Sequence, residues 1–379
     1  MKTIALVGCT GSIGRQTLSV VRRNPFKFKI NCLVANTSAA KLGELVQEFQ
    51  PLTAAVASGA PSCGIMGGTA YFTGEEGALR AVEESGADIV VVACGGFAGL
   101  KYSLLALKMG ARLALANKET LVCGGELVMR RHGEIVPVDS EHSAIWQCLH
   151  YERTAPFKNL IITASGGPFR DKNFEELDGV TPEQALNHPT WHMGAKITID
   201  RATLLNKGYE VIEAHYLYSA EYSRIKTVIQ PQSIIHSMVE FEDGAILAQL
   251  SNPTMELPIQ LALSYPDRYD CGLKPLDFSK AFSLDFIPLD RKKYPMYDLA
   301  ITCGEEGGIL PTALNAASEE AVHAFLNKQI TFCDIWRVSR EVVEGTPNRR
   351  AITYEQLAEV DKVARAAAQK AISKRYNGT

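Results

Sequence analysis

The sequence predicts an α/β fold in three parts: an N-terminal doubly wound parallel sheet, a central α/β domain and a C-terminal helical domain. Three observations predict it. Short apolar, β-rich runs alternate with amphipathic segments through the first 140 residues. From Tyr151 the rhythm breaks into a long polar stretch and a hairpin signal. From Tyr297 onwards the pattern is Ala-rich and helical, with few strand signals. A length of 379 residues corresponds to about two to three domains at roughly 150 residues each.

In the first part the strand-like runs are 3–7, 30–35, 54–57, 88–93, 112–116 and 135–138. They are nearly continuous in apolar residues, as strands covered on both faces are. Helical periodicity marks 14–23, 41–49, 76–84, 97–109 and 119–131 between them. The central part begins with a strand over 159–164 and a glycine turn, Ser165-Gly166-Gly167-Pro168. The piece 170–194 is long, polar and irregular, the composition of a functional lid or of disorder. A helix is predicted over 198–218, a strand over 225–229, and strands 234–241 and 245–250 around Glu242-Asp243-Gly244, a hairpin signal. Pro-containing connections run from Pro253 to about Met296, and helices are predicted over 311–325, 333–343 and 354–374. The domain boundaries read from these signals are 1–140, 141–270, 271–296 as linker and 297–379 as helical domain.

Composition excludes several classes. Charges sum to 39 − 42 = −3, so neither a nucleic-acid scaffold nor a basic membrane binder is indicated. No apolar run approaches the ~18 residues of a membrane span. The first residues enter a strand and a glycine loop without a leader pattern, so export is not indicated and a cytoplasmic location is expected. The nine cysteines are dispersed, with no CxxC pair and an odd total. That spacing suits small buried side chains, not a disulfide framework or a thiolate zinc site.

Gly8-Cys9-Thr10-Gly11-Ser12-Ile13-Gly14 follows the first strand and opens a helix. The spacing is GxxGxxG, and glycines there permit a tight turn and close approach of helix N-terminal amides to a pyrophosphate, so the first part reads as Rossmann-type, with a plain glycine turn as the alternative. The second strand ends at Ala35-Asn36-Thr37-Ser38, with Lys41 beyond it and no acid. A carboxylate at that place would hold the ribose 2′-hydroxyl of NAD. Hydroxyls, an amide and a lysine accept a 2′-phosphate instead, so NADP is favoured.

Asp139-Ser140-Glu141-His142 follows the last strand of this part, at the edge where open α/β sheets bind ligands. Read as extended chain, Asp139 and Glu141 share a face. Asn206-Lys207-Gly208-Tyr209-Glu210 lies on the predicted helix, where Asn206, Glu210 and Glu213 are successive turns of one face. An Asp/Glu/Glu set of oxygens suits Mg²⁺ or Mn²⁺ and disfavours zinc or copper. Solvated caps and surface acids would give the same spacing, and spacing alone does not separate the two. Ser165-Gly166-Gly167 is either a phosphate nest or an ordinary tight turn. Lys118 follows the 112–116 strand on the ligand edge, or is a surface lysine at a helix start. His188, Trp191 and Met193 read as packed loop residues or as a lid that expels water.

Taken together, GCTGSIG (8–14), ANKETL (116–121), PVDSEHSAI (137–145), SGGPFR (165–170), HPTWHMG (188–194), NKGYEVIE (206–213), PQSIIHSMV (231–239) and PTALNAASEEAV (311–322) closely resemble the 1-deoxy-D-xylulose 5-phosphate reductoisomerase family, in that order and over essentially the whole chain. The resemblance implies an NADPH- and divalent-metal-dependent enzyme of the non-mevalonate isoprenoid pathway, homodimeric through its central domain. It implies Asp139, Glu141 and Glu210 as metal ligands for Mg²⁺ or Mn²⁺, with Co²⁺ a further candidate. It implies substrate contacts from Lys118, Ser140, Glu141, Ser165, His188, Trp191, Met193, Asn206, Lys207 and Glu210. Of these, Lys118, Glu141 and His188 are expected to be catalytic. Cofactor contacts are implied for Thr10, Gly11, Ser12, Ile13, Asn117, Glu119 and Gly194, joined by Gly8 and by Asn36, Thr37 and Ser38. Two positions depart from the family pattern. Arg201 stands where the family commonly has a Ser that touches the substrate phosphate; it either replaces that contact or turns to Asp200 or a lid acid. Asn36-Thr37-Ser38 stands where members often carry Gly, a basic residue and Asn. A metal-free semialdehyde or homoserine-type dehydrogenase would need a catalytic thiol or lysine instead, and a non-catalytic NADP sensor would need no acids.

Overall fold

The computed structural model describes residues 1–59, 62–151, 156–187 and 194–376. The chain folds into two compact units. The first takes 1–120, 128–143 and 254–274, and the second takes 121–127, 144–253 and 275–379.

Eight strands build the sheet of the first unit: β1 Lys2–Val7, β2 Phe28–Ala35, β3 Thr53–Val56, β4 Ser62–Met66, β5 Thr69–Thr73, β6 Ile89–Val92, β7 Arg112–Leu115 and β8 Ile135–Pro137. Their order is β4-β5-β3-β2-β1-β6-β7-β8. All neighbours are parallel except β4, which runs antiparallel to β5. The centre of the sheet is buried because residues 4–7 of β1 and all of β6 are Val, Ile, Leu and Ala. Winding reverses between β1 and β6, which makes the carboxyl ends of these two strands the ligand crevice. Helices Ser12–Arg23, Ala39–Phe49, Gly74–Glu84 and Gly99–Lys108 join the strands, as the periodicity predicts.

Two elements of this unit depart from the sequence reading. The β4–β5 hairpin turns on Gly67 (φ 58°) and Gly68 (φ 85°), the paired positive φ of a tight two-residue turn. Residues 256–264 form a helix, where Pro253–Met296 reads as connections, and 254–270 pack with the first unit instead of the central domain. Pro258 does not break this helix, because it stands in the first turn, where its missing N–H has no intrahelical acceptor. At the other end Arg112 donates to the carbonyls of Ala262 (3.3 Å) and Tyr265 (2.8 Å), and Lys2 to that of Tyr265 (2.9 Å). Cations at orphan carbonyls stabilise a helix C-terminus.

The second unit holds a five-stranded sheet of β9 Phe157–Ala164, β10 Ile225–Ile229, β11 Ile235–Phe241, β12 Ile246–Leu250 and β13 Ile287–Pro288, ordered β12-β11-β9-β10-β13. β9 and β10 are parallel and the other pairs antiparallel, with Gly244 (φ 87°) in the β11–β12 turn. Leu160, Ile162 and Val239 from the sheet pack with Val211, Ala214 and Tyr297 in one buried cluster. The helix expected over 198–218 is two, Ala195–Ala202 and Leu205–Tyr218, broken at Leu204 with φ 55° and ψ 15°. A left-handed Leu costs about 1–2 kcal/mol, and burying its side chain, 3% exposed, returns about as much.

The C-terminal helices are Pro295–Glu306, Leu310–Leu326, Phe332–Glu344 and Tyr354–Tyr376. The first begins inside the stretch read as connection, with Pro295 in its first turn. The irregular stretch after Arg170 carries a short 3-10 turn, Phe174–Leu177, and a short helix, Pro182–Leu186, each with a capping box. His188, Trp191 and Met193 lie outside the described residues. Among the described residues, no helix is long and apolar enough to cross a membrane.

Candidate active site

The glycine loop of the first unit is closed to any other residue at two points. A Cβ on Gly8 (φ 86°) would sit 2.7 Å from the backbone of Ala93 and Cys94, and one on Gly14 would sit 2.3 Å from the Gly8 carbonyl. The amides of Gly8 and Cys9 are held by the Val34 carbonyl, so the loop is fixed against β2. Thr10, Gly11, Ser12 and Ile13 therefore lie at the mouth of the β1–β6 crevice, on the N-terminus of the Ser12–Arg23 helix. That helix has no acid in its first turn and receives no side-chain cap from Gly11, which leaves the anion-binding property of a helix N-terminus intact. At the end of β2, Asn36 and Thr37 are exposed and Ser38 half-buried, and the helix that follows has no acid in its first turn either.

Across the crevice, after β6, the short strap Cys94–Gly96 is tied down by two predicted cofactor residues. The Asn117 amide donates to the carbonyls of Cys94 (2.9 Å) and Gly96 (3.0 Å) and to Glu119 Oε2 (2.9 Å). Its oxygen accepts from the Thr120 backbone N–H (2.8 Å) and hydroxyl (2.6 Å). Glu119 Oε1 accepts from the Gly96 N–H at 3.1 Å. Asn117 is 2% exposed, so its side chain shapes the loop from beneath.

The acids of the first unit stand at a strand–helix junction. The extended reading of 139–141 is corrected here: the chain leaves β8, and a helix, Ser140–Tyr151, starts immediately after Asp139. The Asp139 carbonyl accepts from the Ser143 N–H, so Asp139 is the residue that opens the helix. Even so, Asp139 and Glu141 each bring a carboxylate oxygen within 4.8 Å of the other's. Repulsion is offset by neighbours: Lys118 Nζ donates to Asp139 Oδ2 at 2.6 Å, and the Ser140 hydroxyl to Glu141 Oε2 at 2.5 Å. His142, fully buried, places a ring nitrogen within 4.8 Å of an Asp139 oxygen. The sequence reading assigned it no role, although its position one helical turn from Asp139 is the signal.

In the second unit Asn206, Lys207 and Glu210 form a single buried cluster. The Asn206 amide donates to one Glu210 oxygen and the Lys207 ammonium to the other. Glu210 is 0% exposed, and Glu213, one turn further on, is buried as well. Gly208 lets the Pro295–Glu306 helix approach, since a Cβ there would meet that of Ala300 at 2.5 Å. Ser165 begins the turn after β9, with Gly166 at φ 84° and Gly167 at φ 67°. A Cβ on Gly167 would lie 2.9 Å from the Arg201 carbonyl, so this turn rests on the end of the Ala195–Ala202 helix that carries Arg201. Asp200 takes the Lys196 ammonium as a partner at 2.5 Å. Gly194 opens the same helix and is exposed.

Six of the thiols are poor candidates for a nucleophile. Burial pushes the thiols of Cys9, Cys32, Cys94, Cys303 and Cys333 up to about 12 and that of Cys148 to about 11. Near neutrality these side chains are protonated and unreactive.

A doubly wound sheet with a glycine-loop crevice, half-buried acids at the start of one helix and a buried glutamate within another are the parts of a dinucleotide-dependent enzyme with an oxygen-lined cation site. Comparison with known proteins narrows the class. Profiles of 1-deoxy-D-xylulose 5-phosphate reductoisomerase and of its C-terminal domains match residues 4–125, 135–218 and 250–367. The reductoisomerase of Heliobacterium modesticaldum is 46% identical, over 96% of each chain. That of Geobacillus kaustophilus is 47% identical, over 97% of this chain and 98% of the relative. Among solved structures, a DOX-P reductoisomerase in complex with NADPH, fosmidomycin and magnesium superposes with a TM-score of 0.91 at 35% identity, over 98% of both chains. The Zymomonas mobilis enzyme in complex with NADPH gives 0.87 at 36%, over 98% of this chain and 99% of that one. This chain belongs to the 1-deoxy-D-xylulose 5-phosphate reductoisomerase family.

Proposed function

We propose that this chain isomerises 1-deoxy-D-xylulose 5-phosphate and reduces the product with NADPH to 2-C-methyl-D-erythritol 4-phosphate, using Mg²⁺ or Mn²⁺ (Co²⁺ being a further candidate) bound by Asp139, Glu141 and Glu210. The observation that carries the reading is the state of the acids. Asp139 and Glu210 are each held by a lysine ammonium, so these carboxylates demand positive charge. All three candidates offer oxygen only, the donor set of Mg²⁺ and Mn²⁺. When bound, the metal supplies Lewis-acid polarisation of the substrate's ketone and hydroxyl oxygens, and NADPH supplies the hydride.

The chain's own groups do the rest. Lys118, released from Asp139 when a divalent ion takes that carboxylate, is free to donate a proton or hydrogen bond to a substrate oxygen. Ser140 orients Glu141. Ser165, Asn206 and Lys207 bind the phosphate, and Arg201 adds a charged contact to it. His188, Trp191 and Met193 close over the substrate and exclude water. Gly8, Thr10, Gly11, Ser12 and Ile13 hold the pyrophosphate of NADPH, and Asn36, Thr37 and Ser38 receive its 2′-phosphate. Asn117, Glu119 and Gly194 line the nicotinamide side. The exposed Ile246, Leu247 and Leu250 of β12 support a homodimer formed through the central domain. Free buried thiols suit a reducing cytoplasm.

The test is NADPH oxidation in the presence of deoxyxylulose phosphate, before and after chelation and with Mg²⁺ or Mn²⁺ added back. Loss on chelation and recovery on addition support the reading. Metal-independent turnover, or none with metal present, would overturn it.

A further inference from the structure

Tyr294 falls in the stretch 271–296, which reads from sequence as linker. In the structure it stands at the head of the Pro295–Glu306 helix, 5% exposed, in the buried cluster that also holds Ala164 and Leu204. Ala164 is the last residue of β9, directly before the Ser165-Gly166-Gly167 turn, and Leu204 is the break that precedes Asn206 and Lys207. The ring thus shares one cluster with both approaches to the proposed phosphate contacts. Its hydroxyl reaches the turn itself and donates to the Gly166 carbonyl at 3.3 Å. Burial pushes that hydroxyl up to about 12, so it keeps its proton, and with it the donor role, near neutrality.

The peptide joining Gly166 to Gly167 is where one hydroxyl matters. In a trans peptide the C=O and the N–H point in opposite directions. With the Gly166 carbonyl held by Tyr294, the Gly167 N–H points the other way, and there it donates to the Ser165 hydroxyl at 3.4 Å. Both glycines are buried and at positive φ, 84° and 67°, with no side chains to resist rotation of the peptide between them. Rotated by half a turn, that peptide would present a carbonyl oxygen where an N–H now stands. Successive N–H groups attract an anion, and a carbonyl oxygen repels it.

We propose that Tyr294 is a positioning residue for the substrate phosphate: its hydroxyl fixes the Gly166–Gly167 peptide so that the turn offers the anion an N–H and not a carbonyl. The proposal rests on the reading of Ser165 as a phosphate contact and deepens it with the group that orients the turn. A turn fixed before the substrate arrives need not be ordered on binding, which would otherwise be subtracted from affinity.

The experiment compares the full-length chain with Tyr294→Phe, which removes the hydroxyl and keeps the ring. It measures KM and kcat for deoxyxylulose phosphate, the Ki of inorganic phosphate as a competitor, and the thermal midpoint, with Mn²⁺ and NADPH saturating. KM and the phosphate Ki should rise together by about threefold to tenfold, the scale of one hydrogen bond. The KM for NADPH, the Mn²⁺ concentration for half-activity and kcat should stay within about twofold, since the lost interaction is one of phosphate binding. Ser165→Ala, alone and combined with Tyr294→Phe, closes a double-mutant cycle. The two changes should weaken phosphate binding less than additively, because they act on one turn. The proposal is overturned if Tyr294→Phe leaves KM and the phosphate Ki within about twofold of wild type, whatever it does to the thermal midpoint, since the residue would then only pack. Additivity with Ser165→Ala overturns it as well, and so does a loss shared equally by NADPH and Mn²⁺. If Ser165→Ala itself leaves the phosphate Ki unchanged, the reading of the turn as a phosphate contact fails, and this inference with it.

Discussion

Lys118 and Asp139 are joined by an ion pair of 2.6 Å, with side chains only 14% and 12% exposed. The lysine comes from the end of β7 and the acid from the end of β8, so two neighbouring parallel strands deliver the pair to one edge of the sheet. An ammonium in this position competes with any divalent cation for the same carboxylate.

Removing the competitor separates metal binding from chemistry. Lys118→Met should tighten Mn²⁺ binding by about threefold to tenfold, the scale of one partly screened ion pair. Turnover should nevertheless fall by about a hundredfold or more, the usual contribution of a positioned proton donor. Mn²⁺ titration and steady-state kinetics check this; weaker Mn²⁺ binding would show that Lys118 helps hold the metal instead of competing with it.

Glu210→Gln should cut turnover by about a hundredfold to a thousandfold or more and raise the Mn²⁺ concentration needed for half-activity. NADPH affinity should stay within about twofold, since the glycine-loop crevice belongs to the first unit and Glu210 to the second. A variant that lost NADPH affinity at unchanged rate would place Glu210 in the wrong role.

Two glycine substitutions should move stability in opposite directions. Gly208→Ala forces a Cβ to 2.5 Å from Ala300 and should cost about 1–3 kcal/mol through overpacking. Gly43→Ala, on the Ala39–Phe49 helix with nothing within 4 Å of the added carbon, should add about 0.4–1 kcal/mol. Thermal denaturation of the two variants decides it, and equal shifts would contradict the packing account.

Alkaline pH should destabilise the fold through its buried thiols. Cys9, Cys32 and Cys303 are each pushed up to about 12 by burial, whereas an unfolded cysteine titrates near about 8.5. Below that value both states keep the proton and the thiols add no pH dependence. Above it the unfolded chain releases protons that the folded chain retains, so stability falls as pH rises towards 12. Denaturant midpoints measured across this window should decline, and replacing Cys303 with Ala should flatten the decline. A midpoint that rises over the same window would refute it.

How far the sequence reveals the molecule follows from where its signals are local. The strands β1, β2, β6 and β7 are continuous apolar runs and are legible as such. The β4–β5 hairpin is less so, because Ser62–Met66 is wholly exposed and carries no buried pattern; its one cue is Gly67-Gly68. The 256–264 helix is hidden in the sequence by Pro258, whose place in the first turn makes it harmless. The break at Leu204 has no sequence mark, since its left-handed backbone is held by tertiary burial and by backbone hydrogen bonds to Arg201, Lys207 and Gly208. In the site, Asn206, Lys207 and Glu210 are legible because helical spacing brings them to one face. Asp139 and Glu141 are legible as a pair but not as a geometry, because the helix starts at Ser140 and not later. The network from Asn117 through Glu119 to Gly96 is invisible in sequence, since it joins the ends of β6 and β7 across 21 to 23 positions of chain.

Binding of a single Mn²⁺ by three carboxylates is tested most directly by counting the ion. Electron paramagnetic resonance titration of the wild-type chain should give one tightly bound Mn²⁺ per subunit, and Asp139→Asn, Glu141→Gln and Glu210→Gln should each lose it. Retention of the wild-type stoichiometry and affinity by any one of the three would contradict the shared site.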